Sequence, residues 1–369
     1  MTEPREITLQ FLVKFRSGQD YKHVDDPAGS VPVYGSGGIF ASASDYLYDG
    51  ESVLFGRKGT IDRPAYVCGK FWTVDTMFYT ELREGVSGRW LYYWATTIPF
   101  GLYSTDTALP SMTSSVLGRI KAPLVPHVQQ CAIADYLDRE TAEIDAMLAK
   151  LNSLSEALAE RKVLVIQNLT QRSDSGVRWT AVPTAHLFSS IGSGTTPKGL
   201  HYYAESGSGI PWVTTSELRE SVIVETTQDV TEEAVGALSA LRVHPRGSVV
   251  IAMYGATIGR LAMLGVDAAM NQACCAFSSP RNVDSRFFYY ALWGQRGELI
   301  LEANGGGQPN ISQGFLRRWR VPCPPLVEQR RIADHLDEVT GRIDAMVAKV
   351  AELKALLVER RAALITDVV

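Results

Sequence analysis

The sequence predicts an α+β protein: two globular segments joined by two long helices that pair antiparallel as a coiled coil, in an internal repeat of approximate two-fold symmetry. Three observations carry this. The stretch Ile133-Ala134-Asp135-Tyr136-Leu137-Asp138 returns as Ile332-Ala333-Asp334-His335-Leu336-Asp337, an offset of 199 residues that persists to Glu160-Arg161 and Glu359-Arg360. Around each copy runs a seven-residue apolar ladder. Between the ladders lie Gly-, Ser-, Thr- and aromatic-rich segments that correspond to one another. A repeat at fixed offset means one structural unit built twice.

The ladders are Leu137, Ile144, Leu151, Leu158 and Val165 in the first copy and Leu336, Ile343, Val350, Leu357 and Leu364 in the second. Met147, Leu154, Val339, Met346 and Leu353 sit three positions after rungs and complete an a/d seam. Ala, Glu, Lys and Arg fill the intervals, and only Gly341 interrupts the helix formers. A seven-residue period keeps one face apolar only when two helices supercoil; packing each helix on its own globule would favour a 3.6 period and a wider stripe. At ~1.5 Å per residue, forty residues reach roughly 60 Å. Pro123 and Pro126 precede the first helix, and Pro322, Pro324 and Pro325 the second; the residue before a proline resists helical geometry. The expected boundaries are globules at 1–118 and 173–321 and helices at 119–172 and 322–369.

The globules share a framework. Gly50-Glu51-Ser52-Val53-Leu54-Phe55 and Gly247-Ser248-Val249-Val250-Ile251-Ala252 each read as a turn into a buried strand. Gly59-Thr60-Ile61-Asp62-Arg63 matches Ala256-Thr257-Ile258-Gly259-Arg260. Both end in an aromatic helix, Trp90-Leu91-Tyr92-Tyr93-Trp94 and Phe287 through Trp293, followed by Leu109-Pro110-Ser111-Met112 and Gln308-Pro309-Asn310-Ile311. A common scaffold with different loops suits one device reading two targets.

Composition is that of a soluble globular protein. Met1 to Glu6 carries no basic region followed by an apolar run, and no window approaches the ~18 apolar residues of a membrane span, so a cytoplasmic protein is expected. Five cysteines without a C-x-x-C pair suit reduced thiols and argue against zinc. Asn168-Leu169-Thr170 and Asn310-Ile311-Ser312 match the glycosylation pattern by chance. The 36 basic residues are balanced by 40 acidic ones, so any nucleic-acid binding must rest on local patches or on a partner's positive surface.

Gly305-Gly306-Gly307-Gln308-Pro309-Asn310-Ile311-Ser312, followed by Pro324-Pro325-Leu326-Val327-Glu328-Gln329 and the run to Leu336, resembles the recognition-domain ending and conserved-helix start of type I restriction-modification specificity subunits. Val31-Pro32-Val33-Tyr34-Gly35-Ser36-Gly37-Gly38-Ile39 resembles the glycine-rich loop of their recognition domains, and Tyr254-Gly255-Ala256-Thr257-Ile258-Gly259 also fits. The first copy departs, with His127-Val128-Gln129-Gln130 at the junction and Leu109-Pro110-Ser111 before it. The resemblance implies a chain without catalysis of its own, in which each target recognition domain reads half of a split site on double-stranded DNA. It further implies that the helices set the spacing and dock two methyltransferase subunits. Those use S-adenosylmethionine to methylate adenine N6, and a motor-nuclease subunit using ATP and Mg cuts unmodified DNA. No cofactor or metal is expected on this chain.

Candidate DNA contacts in the first globule are Tyr34, Ser36, Arg57, Lys58, Thr60 and Arg63. Arginine and lysine can contact guanine or phosphate, and Gly59 would let the backbone approach; a solvated loop is the plainer alternative. In the second they are Thr195, Thr196, Lys198, Tyr254, Thr257 and Arg260. Gly305 to Gln308 reads as a phosphate loop or a plain connection, and Arg317, Arg318 and Arg320 as a basic cluster for phosphate or a partner. Trp90, Trp94 and Trp293 read as core. No Walker loop, H-E-x-x-H, nucleophile elbow or methyltransferase motif is present, and Glu352-Leu353-Lys354 lies on a helix. The alternatives are a protein-interaction scaffold, which the balanced charge would suit, and a specificity subunit of a methyltransferase-only or type II-like system.

Overall fold

The computed structural model describes residues 5–104, 110–172, 176, 178–303 and 310–369. The chain divides into two compact units, residues 1–152 with 351–369, and residues 153–350. The division cuts through both long helices, so each unit holds one globule, the beginning of one helix and the end of the other.

In the first unit, β1 (Val13–Ser17), β2 (Val31–Gly35), β3 (Gly38–Ala43), β4 (Ser52–Gly56), β5 (Lys70–Thr73) and β6 (Met77–Leu82) precede α1 (Gly88–Thr96) and α2 (His127–Gln171). Strand β6 lies antiparallel between β1 and β4; β2 pairs antiparallel with β3 and parallel with β5. Every residue of β4 is buried, as its apolar run requires. Phe55, Trp90 and Leu91 are wholly buried in the core against which α1 packs.

The second unit repeats the plan with β7 (Phe188–Ser193), β8 (Ile210–Val213), β9 (Val249–Ala252), β10 (Leu261–Leu264), β11 (Ala269–Met270), β12 (Cys274–Pro280), α3 (Ser285–Gly294) and α4 (Leu326–Val368). Strand β12 lies antiparallel between β7 and β9, and β8 pairs parallel with β11. Where β2 has the hairpin partner β3, β8 pairs instead with the distant Asp229–Val230. Each globule closes on a short antiparallel ladder just before its long helix, Glu6–Thr8 with Lys121–Pro123 and Ala181–Pro183 with Arg320–Pro322.

Within each unit the helix segments run antiparallel. In the first, Leu137 near the start of α2 clusters with Ile365 near the end of α4, and Arg361 Nε meets Asp145 at 3.2 Å. In the second, Ile166 shares a core with Leu336, and Lys162 Nζ contacts both Asp344 oxygens at 2.7 Å. These are equivalent positions with the helices exchanged. Leu137, Ile144, Leu158, Leu336, Ile343, Val350 and Leu357 are buried rungs, and Leu151 is half-buried. At the last rung Ile166 and Ile365 are buried in place of the expected Val165 and Leu364. A 3.6-residue helix drifts ~20° per heptad from a 3.5 repeat, which over four heptads approaches one residue.

The a/d seam is corrected. Met147, Leu154, Met346 and Leu353 are 42–51% exposed, and Val339 is only half-buried. The inward positions lie four after the rungs, at Thr141 and Thr340. The reason is that each helix start serves two neighbours, the other helix and its own globule, and the globule covers the four-after side. Tyr93 of α1 reaches Thr141, and Tyr290 of α3 reaches Thr340, each at 3.1 Å.

Candidate nucleic-acid interface

The globules are fixed to the helices through the duplicated sequence motif. Arg89 on α1 pairs with Asp135 at 2.8 Å and Asp138 at 2.5 Å, while the Tyr93 hydroxyl donates to Asp138 at 2.7 Å. In the second unit Arg286 pairs with Asp334 and Asp337 at 2.8 and 2.6 Å, and Tyr290 donates to Asp337 at 2.7 Å. Burial, with help from the Asp138 carboxylate, pushes the Tyr93 phenol up to about 12, so it remains a donor. The last residue of the junction motif has the same task twice. Gln130 Oε1 accepts from Ser87 N and its Nε2 donates to Val125 O, both at 2.8 Å. Gln329 accepts from Asp284 N and donates to Pro324 O, also at 2.8 Å. Ser87 and Asp284 are the N-caps of α1 and α3, so one buried amide locks an aromatic helix to the start of a long one.

The loop residues gather around one turn in each globule. In the first, Arg57 N donates to Thr76 O at 2.8 Å, Gln19 N to Thr73 O at 2.9 Å and Val74 N to Tyr34 O at 3.1 Å. Met112 N donates to Arg57 O, Gly59 N to Pro110 O, and Lys58 bridges Ser111. In the second, Met253 N donates to Ala273 O at 2.8 Å, Thr195 N to Met270 O at 3.1 Å, Asn271 N to Val213 O at 3.0 Å and Ile311 N to Met253 O at 2.8 Å; Tyr254 bridges Asn310. Gly18 and Gly194 admit no side chain, because a Cβ would lie 2.1 Å from Val74 O and 1.7 Å from Met270 O. The Trp72 indole donates to Gln19 O in one globule and that of Trp212 to Thr195 O in the other, from different strands.

This framework brings Tyr34, Arg57 and Lys58 to the Val74–Met77 turn, with Ser36 beside Gly59 and the Thr60 carbonyl against Gly56. A Cβ on Gly59 would lie 3.4 Å from Ser36 Oγ. Arg57 is half-buried; its guanidinium donates to Asp75 O at 3.3 Å and lies 5.9 Å from the Phe78 ring centre. Lys58 and Arg63 are exposed. In the second unit Thr195 meets the Met270–Cys274 turn, Thr196 Oγ1 bonds Gln272 at 2.6 Å, and Tyr254 follows Met253, which bonds Ala273 O. Lys198 is exposed, while Thr257 and Arg260 form a half-buried turn closed by Arg260 N to Thr257 O at 2.9 Å. Lys58 and Tyr254 occupy the same backbone place, and Gln19, which the sequence reading passed over, occupies that of Thr195. The signal for Gln19 was a glycine directly after the first strand in both copies.

Of the basic cluster, Arg317 and Arg320 donate to backbone carbonyls of Ile191 and Ala181. Trp90 and Trp94 are buried, whereas Trp293 is half-buried with Lys162 Nζ 4.8 Å from its ring centre. Gly305 to Gln308, with Leu109, lie outside the described residues. Among the described residues no group of three or more His, Cys, Asp or Glu is placed to hold a metal, and no helix is long and apolar enough to cross a membrane.

A family model for the type I restriction modification DNA specificity domain matches residues 12–156 and 178–355. The EcoR124I/EcoR124II specificity subunit of a type I restriction enzyme from Escherichia coli is 25% identical over 261 residues, 68% of this chain; the match spans 62% of that relative's length. Among solved structures, a chain from work on complex assembly and conformational transition of the type I R-M system superposes with TM-score 0.72 at 17% identity, covering 100% of this chain and 98% of its own. The HsdS subunit from Thermoanaerobacter tengcongensis gives 0.54 at 16% identity, covering 99% and 96%. At these identities the structural likeness speaks for the fold alone.

Proposed function

The chain belongs to the type I restriction modification DNA specificity family, and from that premise we propose that it is the DNA-reading subunit of a restriction-modification complex in the cytoplasm. Residues 1–118 and 173–321 act as target recognition domains, each reading half of a bipartite site, and 119–172 and 322–369 act as conserved helices that fix the spacing. Two methyltransferase subunits dock on the chain and bring S-adenosylmethionine for adenine N6 methylation; a motor-nuclease subunit brings ATP and Mg.

One observation carries this reading: the two globules keep the same hydrogen-bonded turn yet present different side chains from it, Lys58 at the place of Tyr254 and Gln19 at that of Thr195. Equal scaffolds with unequal surfaces suit two different half-sites. Partner docking draws on the apolar side chains left outside the helix seam, Met147, Leu353 and Leu356 in the first unit and Leu154, Leu164 and Met346 in the second, each 42–57% exposed.

Sequencing methylated adenines in cells with and without the gene tests the reading. A gene-dependent motif of two short half-sites around an unread spacer is expected. Arg57→Ala with Lys58→Ala should relax one half-site and leave the other intact, and one added turn in α2 should change only the spacer. A contiguous palindromic motif, or one indifferent to these changes, would rule it out.

A further inference from the structure

In the first globule β2 and β3 form a hairpin turned at Ser36-Gly37, with Gly35 paired to Gly38. Three of the four residues at the tip lack a side chain, and Gly38 has φ +110. The ladder then slips: Tyr34 faces Ile39 but Val33 faces Ala41, so Phe40 is the extra residue of a β-bulge. A bulge breaks the two-residue alternation and re-aims side chains. Here it leaves two adjacent apolar side chains in water, Ile39 at 62% and Phe40 at 55% exposure. The Phe40 ring is braced at its edge by Tyr21, 5.3 Å between centres, and lies against Gly35, where a Cβ would come within 3.1 Å of it. The same tip places Ser36 beside Gly59 of the basic turn.

Single exposed apolar residues are ordinary. An adjacent pair, raised on a narrow ribbon beside the turn that carries Lys58, is a specific arrangement. A two-stranded ribbon fits the major groove of DNA, whose one apolar feature is the thymine 5-methyl group. The side chains of Ile39 and Phe40 can donate nothing to phosphate or to base edges, so apolar contact is what they offer a groove. At the equivalent place in the second globule β8 pairs instead with a strand distant in sequence, so among the described residues this hairpin is not repeated there.

We propose that this hairpin enters the major groove and reads a thymine by apolar contact of Ile39 and Phe40 with its 5-methyl group. The proposal rests on the DNA-reading function above.

The test uses the full chain with its methyltransferase subunits and duplexes carrying the methylated motif. Each thymine of the half-site altered by Lys58→Ala is replaced in turn by deoxyuridine, which keeps the base pair and removes only the methyl. Burying one methyl-sized group is worth about four-fold in affinity. One replacement should weaken binding by about that factor, the Ile39→Ala/Phe40→Ala variant should bind both duplexes alike, and Phe40→Leu should keep part of the preference. Both side chains are largely exposed, so the variants should melt as the parent does. Specific binding indifferent to every deoxyuridine would overturn the proposal, as would a variant that keeps the full preference. Equal loss on thymine and deoxyuridine duplexes would make the hairpin a wedge between bases, and loss of co-purifying methyltransferase alone a protein contact; either overturns methyl reading. Absence of any sequence-specific binding would instead overturn the DNA-reading function on which the proposal stands.

Discussion

Replacing Gln329 with leucine should unlatch the second globule from α4 while leaving the shape of the core almost unchanged. The side chain is wholly buried and of leucine's size, so no large cavity opens. What is lost is chiefly the pair of bonds to Asp284 N and Pro324 O, each 2.8 Å long, with longer contacts of the amide nitrogen to Asn282 O at 3.4 Å and Cys323 Sγ at 3.5 Å. A buried donor or acceptor left without a partner costs ~1–3 kcal/mol. Two of them bound the effect at roughly 2–6 kcal/mol. The Asp284 amide is only partly buried, so water recovers some of its share and about 3 kcal/mol is expected. For a body of this size 1 kcal/mol moves the melting temperature ~2–4 °C, giving a fall of roughly 6–12 °C. Thermal and urea unfolding of the full chain reads this directly. Gln129→Leu, an exposed change one residue before the equivalent Gln130, should stay within ~0.5 kcal/mol. A loss below ~1 kcal/mol for Gln329→Leu would refute the argument that this amide is the latch.

Three further outcomes are expected. Tyr290→Phe removes the hydroxyl bound to the Asp337 carboxylate and should cost ~1.5–3 kcal/mol in urea unfolding, with Tyr93→Phe behaving alike in the first unit. Ile144→Asp with Ile343→Asp buries a charge at 7% and 5% exposed rungs, each costing several kcal/mol, so circular dichroism should show a chain that no longer folds stably and assembly should fail. Met147→Ser with Met346→Ser, on the exposed side, should hold stability within ~0.5 kcal/mol yet reduce co-purification with methyltransferase subunits; strong destabilisation would restore the a/d seam.

The duplication was legible in the sequence because the same contacts must be satisfied twice. Asp135 and Asp334 recur because an arginine on each aromatic helix needs them, and Gln130 survives in the otherwise divergent first junction because it still caps that helix to its globule. The rungs were legible for the same reason: a seven-residue period has few structural meanings. The side of the helix that faces inward was not. Heptad spacing marks a rung but does not say whether the next contact lies three or four residues on, and here the docked globules decided it by burying Thr141 and Thr340 and leaving Met147 and Met346 in water. Spacing along the chain likewise could not reveal that Lys58 and Tyr254 share one backbone place, or that Phe40 is a bulge residue. Both depend on the register between strands and turns far apart in sequence, which hydrogen bonding settles only once the globule has closed.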